Sequence, residues 1–116
     1  MISRLNSIKG VGVDIEDIGR FEAVPFKENP SFYTRIFTQD EIDYCMSQPR
    51  PSQHFAARFC AKEAFIKACG EKVADYRSME VQAHHKLPVL VHDGQRHKLS
   101  LAHEKDKAIA FVVVKK

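Results

Sequence analysis

HFAARFCAKEAFIKACG, residues 54–70, is apolar or small almost all the way round. Phe55, Ala56, Ala57, Phe59, Cys60, Ala61, Ala64, Phe65, Ile66, Ala68 and Cys69 leave no wide polar face. Alanine is frequent, no proline or β-branched run interrupts the pattern, and Gly70 stands where a C′ glycine ends a helix. A helix of this kind belongs inside a fold, with other elements wrapped over it. Four charges nonetheless punctuate it: Arg58, Lys62, Glu63 and Lys67. At about 100° per residue, Glu63 and Lys67 share one edge and Arg58 and Lys62 another. Charges on a buried helix cost free energy unless they are paired, so a functional site is sought here first.

After Gly70 the period changes to two. Met79, Val81 and Ala83 alternate, and residues 89–91, 99–101 and 108–114 follow as further strands. Asp93-Gly94 marks a hairpin turn, and residues 104–107 form a polar turn before the last strand. Upstream, IKGVGVDI, residues 8–15, reads as a strand with Val11, Val13 and Ile15 on one face and Gly10, Gly12 and Asp14 on the other. Two glycines beside an aspartate imply that something approaches that face closely; a bulge or close packing of the central helix explains them equally. The neighbourhood of Asp14 is expected to open a helix, with Glu16 and Asp17 in its first turn. Ile15, Ile18 and Phe21 would form its apolar stripe, Arg20 would point elsewhere, and Pro25 would end it. Residues 26–37 read as irregular and aromatic-rich. Thr38 to Glu41 is a capping box opening a helix through about Ser47. Pro49-Arg50-Pro51 then breaks the chain before Ser52, the expected cap of the central helix. Helices cluster early and strands late, which predicts an α+β fold with an antiparallel sheet curled against one long helix.

The 116 residues suit one domain, 1–116. A hydrophobic content of 44% with 28% charged residues is that of an ordinary globular chain and argues against disorder. The net charge of +3 favours an acidic protein or a phosphate ligand. It is too small to imply nucleic acid, and no RNP, helix-turn-helix or zinc-finger pattern is present. Cys45, Cys60 and Cys69 form no CxxC pair and are expected to be reduced, buried thiols. The first ten residues carry no apolar core of signal-peptide length and no run is long enough to span a membrane, so a cytoplasmic chain without membrane partners is expected.

Asp14 closes a strand and Glu63 sits in the central helix. If the helix crosses the strand, the two carboxylates converge in the way that Mg²⁺, with its remaining waters and phosphate ligands, is usually held. Lys67, one turn beyond Glu63, could then neutralise charge on a phosphoryl group. The plainer alternative is an i,i+4 ion pair between Glu63 and Lys67 on a partly exposed edge. Six histidines (His54, His84, His85, His92, His97 and His103) show no zinc spacing, and adjacent His84 and His85 would point to opposite faces of a strand. Cys60 and Cys69 lack the setting of a nucleophile. Ser100 and His103 lack nucleophile-elbow glycines. Arg20, Lys27, Arg35 and Arg50 form either a patch for an acidic partner or scattered solvated charges.

GVGVDIEDIGRFE at residues 10–22, RIFTQDEI at 35–42 and FAARFCAKEAFIKA at 55–68 together resemble the holo-acyl carrier protein synthases, the small members of the 4′-phosphopantetheinyl transferase superfamily. The resemblance implies a fold of that type and a Mg²⁺-dependent transfer. Coenzyme A would give its phosphopantetheine arm to a serine of an acidic apo acyl carrier protein, leaving adenosine 3′,5′-bisphosphate. By the same resemblance Asp14 and Glu63 would bind the metal. Glu63, or water near it, would help deprotonate the serine, and Lys67 would stabilise the departing phosphate. Lys62 of the KEA motif would face phosphate, and Lys98 and His103 would contact coenzyme A; Arg58 is expected either to contact coenzyme A or to form a structural ion pair. Arg20 would lie on the helix that meets the carrier protein, and the assembly would be a homotrimer with sites between protomers. The chain departs from the pattern in three places: GEKVADYRS, residues 70–78, has only Gly70 where relatives carry a glycine-rich loop, Lys98 replaces the first histidine of H-x-S-x-x-H, and the segment between the late strands is short. A catalytically weak homologue that only binds a carrier protein or partner subunit is the rival expectation.

Overall fold

The computed structural model describes residues 7–70, 72–73, 75–84 and 86–116, with His84 described by its backbone alone. The first six residues, part of the segment read for a signal, and His85 lie outside the described residues. In chain order the elements are β1 (Ile8–Asp17), α1 (Gly19–Glu22), a 3₁₀ turn (Phe26–Glu28), α2 (Pro30–Thr34), α3 (Gln39–Met46) and α4 (Pro51–Ala68). A second 3₁₀ turn (Tyr76–Ser78) leads into β2 (Met79–His84), β3 (Leu87–His92), β4 (Gln95–His103) and β5 (Lys107–Lys115). The five strands form one antiparallel sheet in the order β1-β5-β4-β3-β2. The chain's first strand therefore closes the sheet beside its last. The α+β expectation holds, with the sheet lying against the long α4.

Residue chemistry explains the main contacts. α4 packs chiefly on β1 and β5. A Cβ at Gly10 would stand 2.1 Å from the Ala68 carbonyl oxygen, and one at Gly12 would stand 1.9 Å from that of Ala64. The two glycines therefore exist to let the helix backbone touch the strand, which decides between the alternatives left open above. A register shift also sits between Ile8 and Gly10. One core cluster gathers Phe21, Tyr33, Phe37, Phe55 and Phe59 under the short helices. The other places Phe65, Met79, Leu90 and Val112 between α4 and the sheet. Asp93 and Gly94, with φ of 53° and 74°, give the hairpin turn its positive-φ pair, and Gly70 at 73° follows the end of α4.

Four local expectations are corrected. β1 does not give way to a helix near Asp14: Glu16 and Asp17 still pair with Ala108 and Lys107, and the ladder holds them extended. Ile15 is consequently exposed beside Val11 and Val13 and belongs to no helical stripe, whereas Ile18 and Phe21 are buried. Ser52 does not cap α4; Pro51 occupies its first position after Arg50, where a preset φ and a missing N–H cost nothing. Residues 26–37 contain a 3₁₀ turn and α2, which Pro30 opens. The capping box forms as read, with Thr38 Oγ1 accepting from the Glu41 N–H at 3.3 Å and Glu41 Oε1 accepting from the Thr38 N–H at 2.9 Å. Among the described residues no helix is long and apolar enough to cross a membrane.

Candidate active site

Two residues beyond Gly12 on the same strand face, Asp14 meets α4 where the helix lies closest to β1. The Cys60 thiol donates to the Asp14 carbonyl at 3.0 Å, tying strand to helix beside the carboxylate. Lys67 Nζ donates to Asp14 Oδ1 at 2.9 Å and to the Val13 carbonyl at 3.2 Å. Asp14 Oδ2 is buried and has no hydrogen-bond partner. Glu63, one helical turn before Lys67, accepts a 2.7 Å hydrogen bond on Oε1 from the Tyr76 hydroxyl. Lys67 forms its ion pair with Asp14, a partner that neither reading of this edge named, and among the described residues no Glu63–Lys67 ion pair forms.

Glu16 adds a third carboxylate on the Asp14 face of β1. Burial, and then Asp14 beside it, push its carboxyl up to about 7, while Arg20 pulls the other way. Arg20 Nη1 donates to Glu16 Oε1 at 2.8 Å, and its guanidinium lies 5.4 Å from the centre of the Phe59 ring. The hydrogen bond and charge of Asp14 raise the Lys67 amine, and burial with the Glu63 contact pushes the Tyr76 phenol up to about 12. Lys67 thus stays cationic and Tyr76 stays a donor near neutral pH.

An orphaned buried oxygen, set beside a second carboxyl whose affinity for protons is raised by burial and by Asp14, is a position that a cation would satisfy. Among the described residues no group of three or more His, Cys, Asp or Glu side chains is arranged to hold a metal. A cation here would rest on Asp14 and Glu63 with water and phosphate completing its shell, which is how Mg²⁺ differs from zinc. The residues fit Mg²⁺ on that ground.

Lys62, expected to face phosphate, does not. It is fully buried, and its ammonium donates to Glu41 Oε1 at 2.7 Å, the Ile36 carbonyl at 2.7 Å and the Tyr76 carbonyl at 3.1 Å. Three donors meet three acceptors, so none is left for a ligand. Burial lowers the amine and the Glu41 carboxylate opposes that shift. Glu41 in turn accepts from the Val81 N–H at 2.8 Å, so one buried ion pair ties α3, α4 and β2 together. Thr38, besides capping α3, hydrogen-bonds Glu80 through its hydroxyl.

Arg58 lies on a different face of α4. Its guanidinium stands 4.3 Å from the centre of the Tyr44 ring and its Nε is buried without a partner. With His54, Gln53 and His103 it lines a cleft of about 440 Å³. The Gln53 amide donates to His103 Nε2 at 2.6 Å. Lys98 stands five residues before His103 on β4, and an odd spacing puts it on the opposite face. Arg58 and His103 are therefore brought together, Lys98 is not, and Asp14 and Glu63 do not line that cleft. Ser100 and His103, three apart on β4, also face opposite ways. Burial pushes the Cys45 and Cys60 thiols up to about 12, which removes them as nucleophiles. Of the four scattered basic residues, Arg20 and Arg50 each pair with a glutamate.

Sequence reasoning missed Tyr76 and Glu16. Tyr76 sits in a stretch without periodicity and carried no signal. Glu16 was detectable, since continuing the strand's period by two residues puts it on the Asp14 face.

The sequence model of the 4′-phosphopantetheinyl transferase superfamily matches residues 10–112. A holo-[acyl-carrier-protein] synthase of Geobacter sulfurreducens is 39% identical over 124 aligned residues, covering 94% of this chain and 98% of that protein. One from Thermodesulfovibrio yellowstonii is 39% identical over 111 residues, covering 92% and 98%. Among solved structures, the holo-(acyl-carrier-protein) synthase of Bacillus anthracis in complex with CoA (3′,5′-ADP) superposes with a TM-score of 0.79 at 31% identity, covering 95% of this chain and 98% of that one. The Neisseria meningitidis enzyme gives 0.80 at 28% identity, covering 94% and 98%.

Proposed function

The chain belongs to the 4′-phosphopantetheinyl transferase superfamily, and from that premise we propose that it transfers the 4′-phosphopantetheine arm of coenzyme A to a serine of an apo acyl carrier protein. The observation that supports this most directly is the half-satisfied Asp14 carboxylate beside Lys67, with Glu63 on the facing helix. In the transfer the serine oxygen bonds to the β-phosphorus of coenzyme A, the bond from that phosphorus to the bridging oxygen breaks, and adenosine 3′,5′-bisphosphate leaves. Glu63, acting through water held beside it, takes the serine proton. Lys67 is half-exposed at the edge of the site and faces the departing phosphate. Mg²⁺, held by Asp14 and Glu63, supplies neutralisation of the pyrophosphate charge when bound.

Arg58 and His103 contact the nucleotide end of coenzyme A in their cleft, and the half-exposed Arg20 meets an acidic surface of the carrier protein. Lys98, on the outer face of the sheet, reaches coenzyme A only across a boundary between protomers. The sheet supports such an assembly: Val11, Val13 and Ile15 of β1 are exposed beside Ile109 and Phe111 of β5, an apolar face of the kind that marks an interface. The homotrimer is tested by sedimentation velocity, where a monomer that retains full activity would exclude it. Use of coenzyme A supports a cytoplasmic chain, and its recovery with membranes on fractionation would count against this.

The deciding experiment incubates the full chain with apo acyl carrier protein, coenzyme A and Mg²⁺, and follows the carrier by mass spectrometry. A mass increase equal to one phosphopantetheine is the expected result, with Arg58→Ala raising the KM for coenzyme A. No transfer to any of several carrier proteins would leave the chain a carrier-binding homologue without the activity.

A further inference from the structure

Tyr76 grips Glu63, a candidate metal ligand, and takes no step in the proposed chemistry above. It opens the 3₁₀ turn whose cap is Asp75, Oδ1 accepting from the Arg77 N–H at 3.0 Å. Its ring packs on Phe59 with centroids 5.6 Å apart. Its carbonyl accepts from the buried Lys62 ammonium at 3.1 Å, and its hydroxyl donates to Glu63 Oε1 at 2.7 Å. Backbone, ring and hydroxyl are thus each held, and the hydroxyl alone reaches the site. A phenylalanine would make the same ring contact and leave Glu63 unrestrained. Glutamate is among the side chains with most rotamer freedom to lose, so a fixed donor on one oxygen determines where the other points.

We propose that Tyr76 is a positioning residue that fixes the Glu63 carboxylate so that a single oxygen, Oε2, faces the cation, and that Lys62 acts at one remove by anchoring the Tyr76 main chain. This rests on the metal reading of Asp14 and Glu63. It gives the KEA lysine a part in the site although it touches no ligand. Partners that orient a metal-binding carboxylate are worth roughly 10- to 100-fold in metal affinity.

The test compares wild type, Tyr76→Phe and Glu63→Ala as full chains with coenzyme A bound, measuring Mn²⁺ affinity from the electron paramagnetic resonance of the free ion, alongside melting temperature and transfer kinetics. Tyr76→Phe is expected to weaken Mn²⁺ binding roughly 10- to 100-fold with little change in melting temperature, and added metal should recover part of the lost rate. Unchanged Mn²⁺ affinity in Tyr76→Phe, with Glu63→Ala weakened, overturns the positioning role and leaves the metal reading standing. A lower melting temperature with unchanged affinity also overturns it, because a purely structural hydroxyl behaves that way. Unchanged affinity in Glu63→Ala would show that the metal reading had failed instead.

Discussion

Glu63→Ala is expected to lower phosphopantetheine transfer by roughly 10²- to 10⁴-fold, the range that a positioned proton acceptor contributes, and Asp14→Ala, which removes the other metal-holding carboxylate, to abolish it, while the protein stays folded. Folding should survive because neither carboxylate braces the core. Asp14→Ala gives up one ion pair, to the half-exposed Lys67, and removes a carboxylate that crowds Glu16. Glu63 contributes one hydrogen bond, to a tyrosine whose ring and carbonyl are held elsewhere. Chelation with EDTA should abolish activity of the wild type reversibly, with return on adding Mg²⁺. A Glu63→Ala enzyme that transfers at the wild-type rate, or an activity indifferent to EDTA, would refute the assignment of the metal to this pair.

Lys62→Met should act in the opposite way, on stability first. Removing one member of a buried ion pair strands the other, at a cost of about 3–5 kcal/mol. Here Glu41 would stay buried without its cation, and the carbonyls of Ile36 and Tyr76 would lose their donor. For a chain of this length the melting temperature should fall by roughly 10 °C or more, read by circular dichroism and checked as a lower urea midpoint. A lysine that touched phosphate would behave differently, with wild-type stability and a raised KM for coenzyme A. That outcome would contradict the buried pair seen here.

These two expectations concern neighbouring positions on one helix, and they show how far the sequence can be read. Its apolar character identified α4 as the element the fold surrounds, because a helix without a polar face has no other place to go. Period two identified the strands, and the same alternation put Gly10, Gly12 and Asp14 on one face. The capping box located α3, because its signal is local and complete within four residues. The residues joined Asp14 to Glu63 only on the condition that the helix crosses the strand, and the resemblance pointed the same way. The boundary of β1 was misread because acidic residues at 16 and 17 suit a helix start as well as a strand end. Only pairing with β5 selects the strand.

Residue pattern alone identifies the core helix, the strand alternation and the face that carries Gly10, Gly12 and Asp14, and leaves open what approaches that face. These follow from periodicity and from the absence of a Cβ, properties each residue carries with it. What the charges on α4 do follows from the packing around them. Lys62 and Glu63 differ by one position and about 100° of rotation, yet α3 and β2 bury the first against Glu41 while the second remains at the site edge. Which of two adjacent charges is desolvated depends on what packs over each, and that is a property of elements remote in sequence. Tyr76 was invisible for the same reason: a phenol becomes a partner for Glu63 only once Lys62 and Phe59 have placed it there.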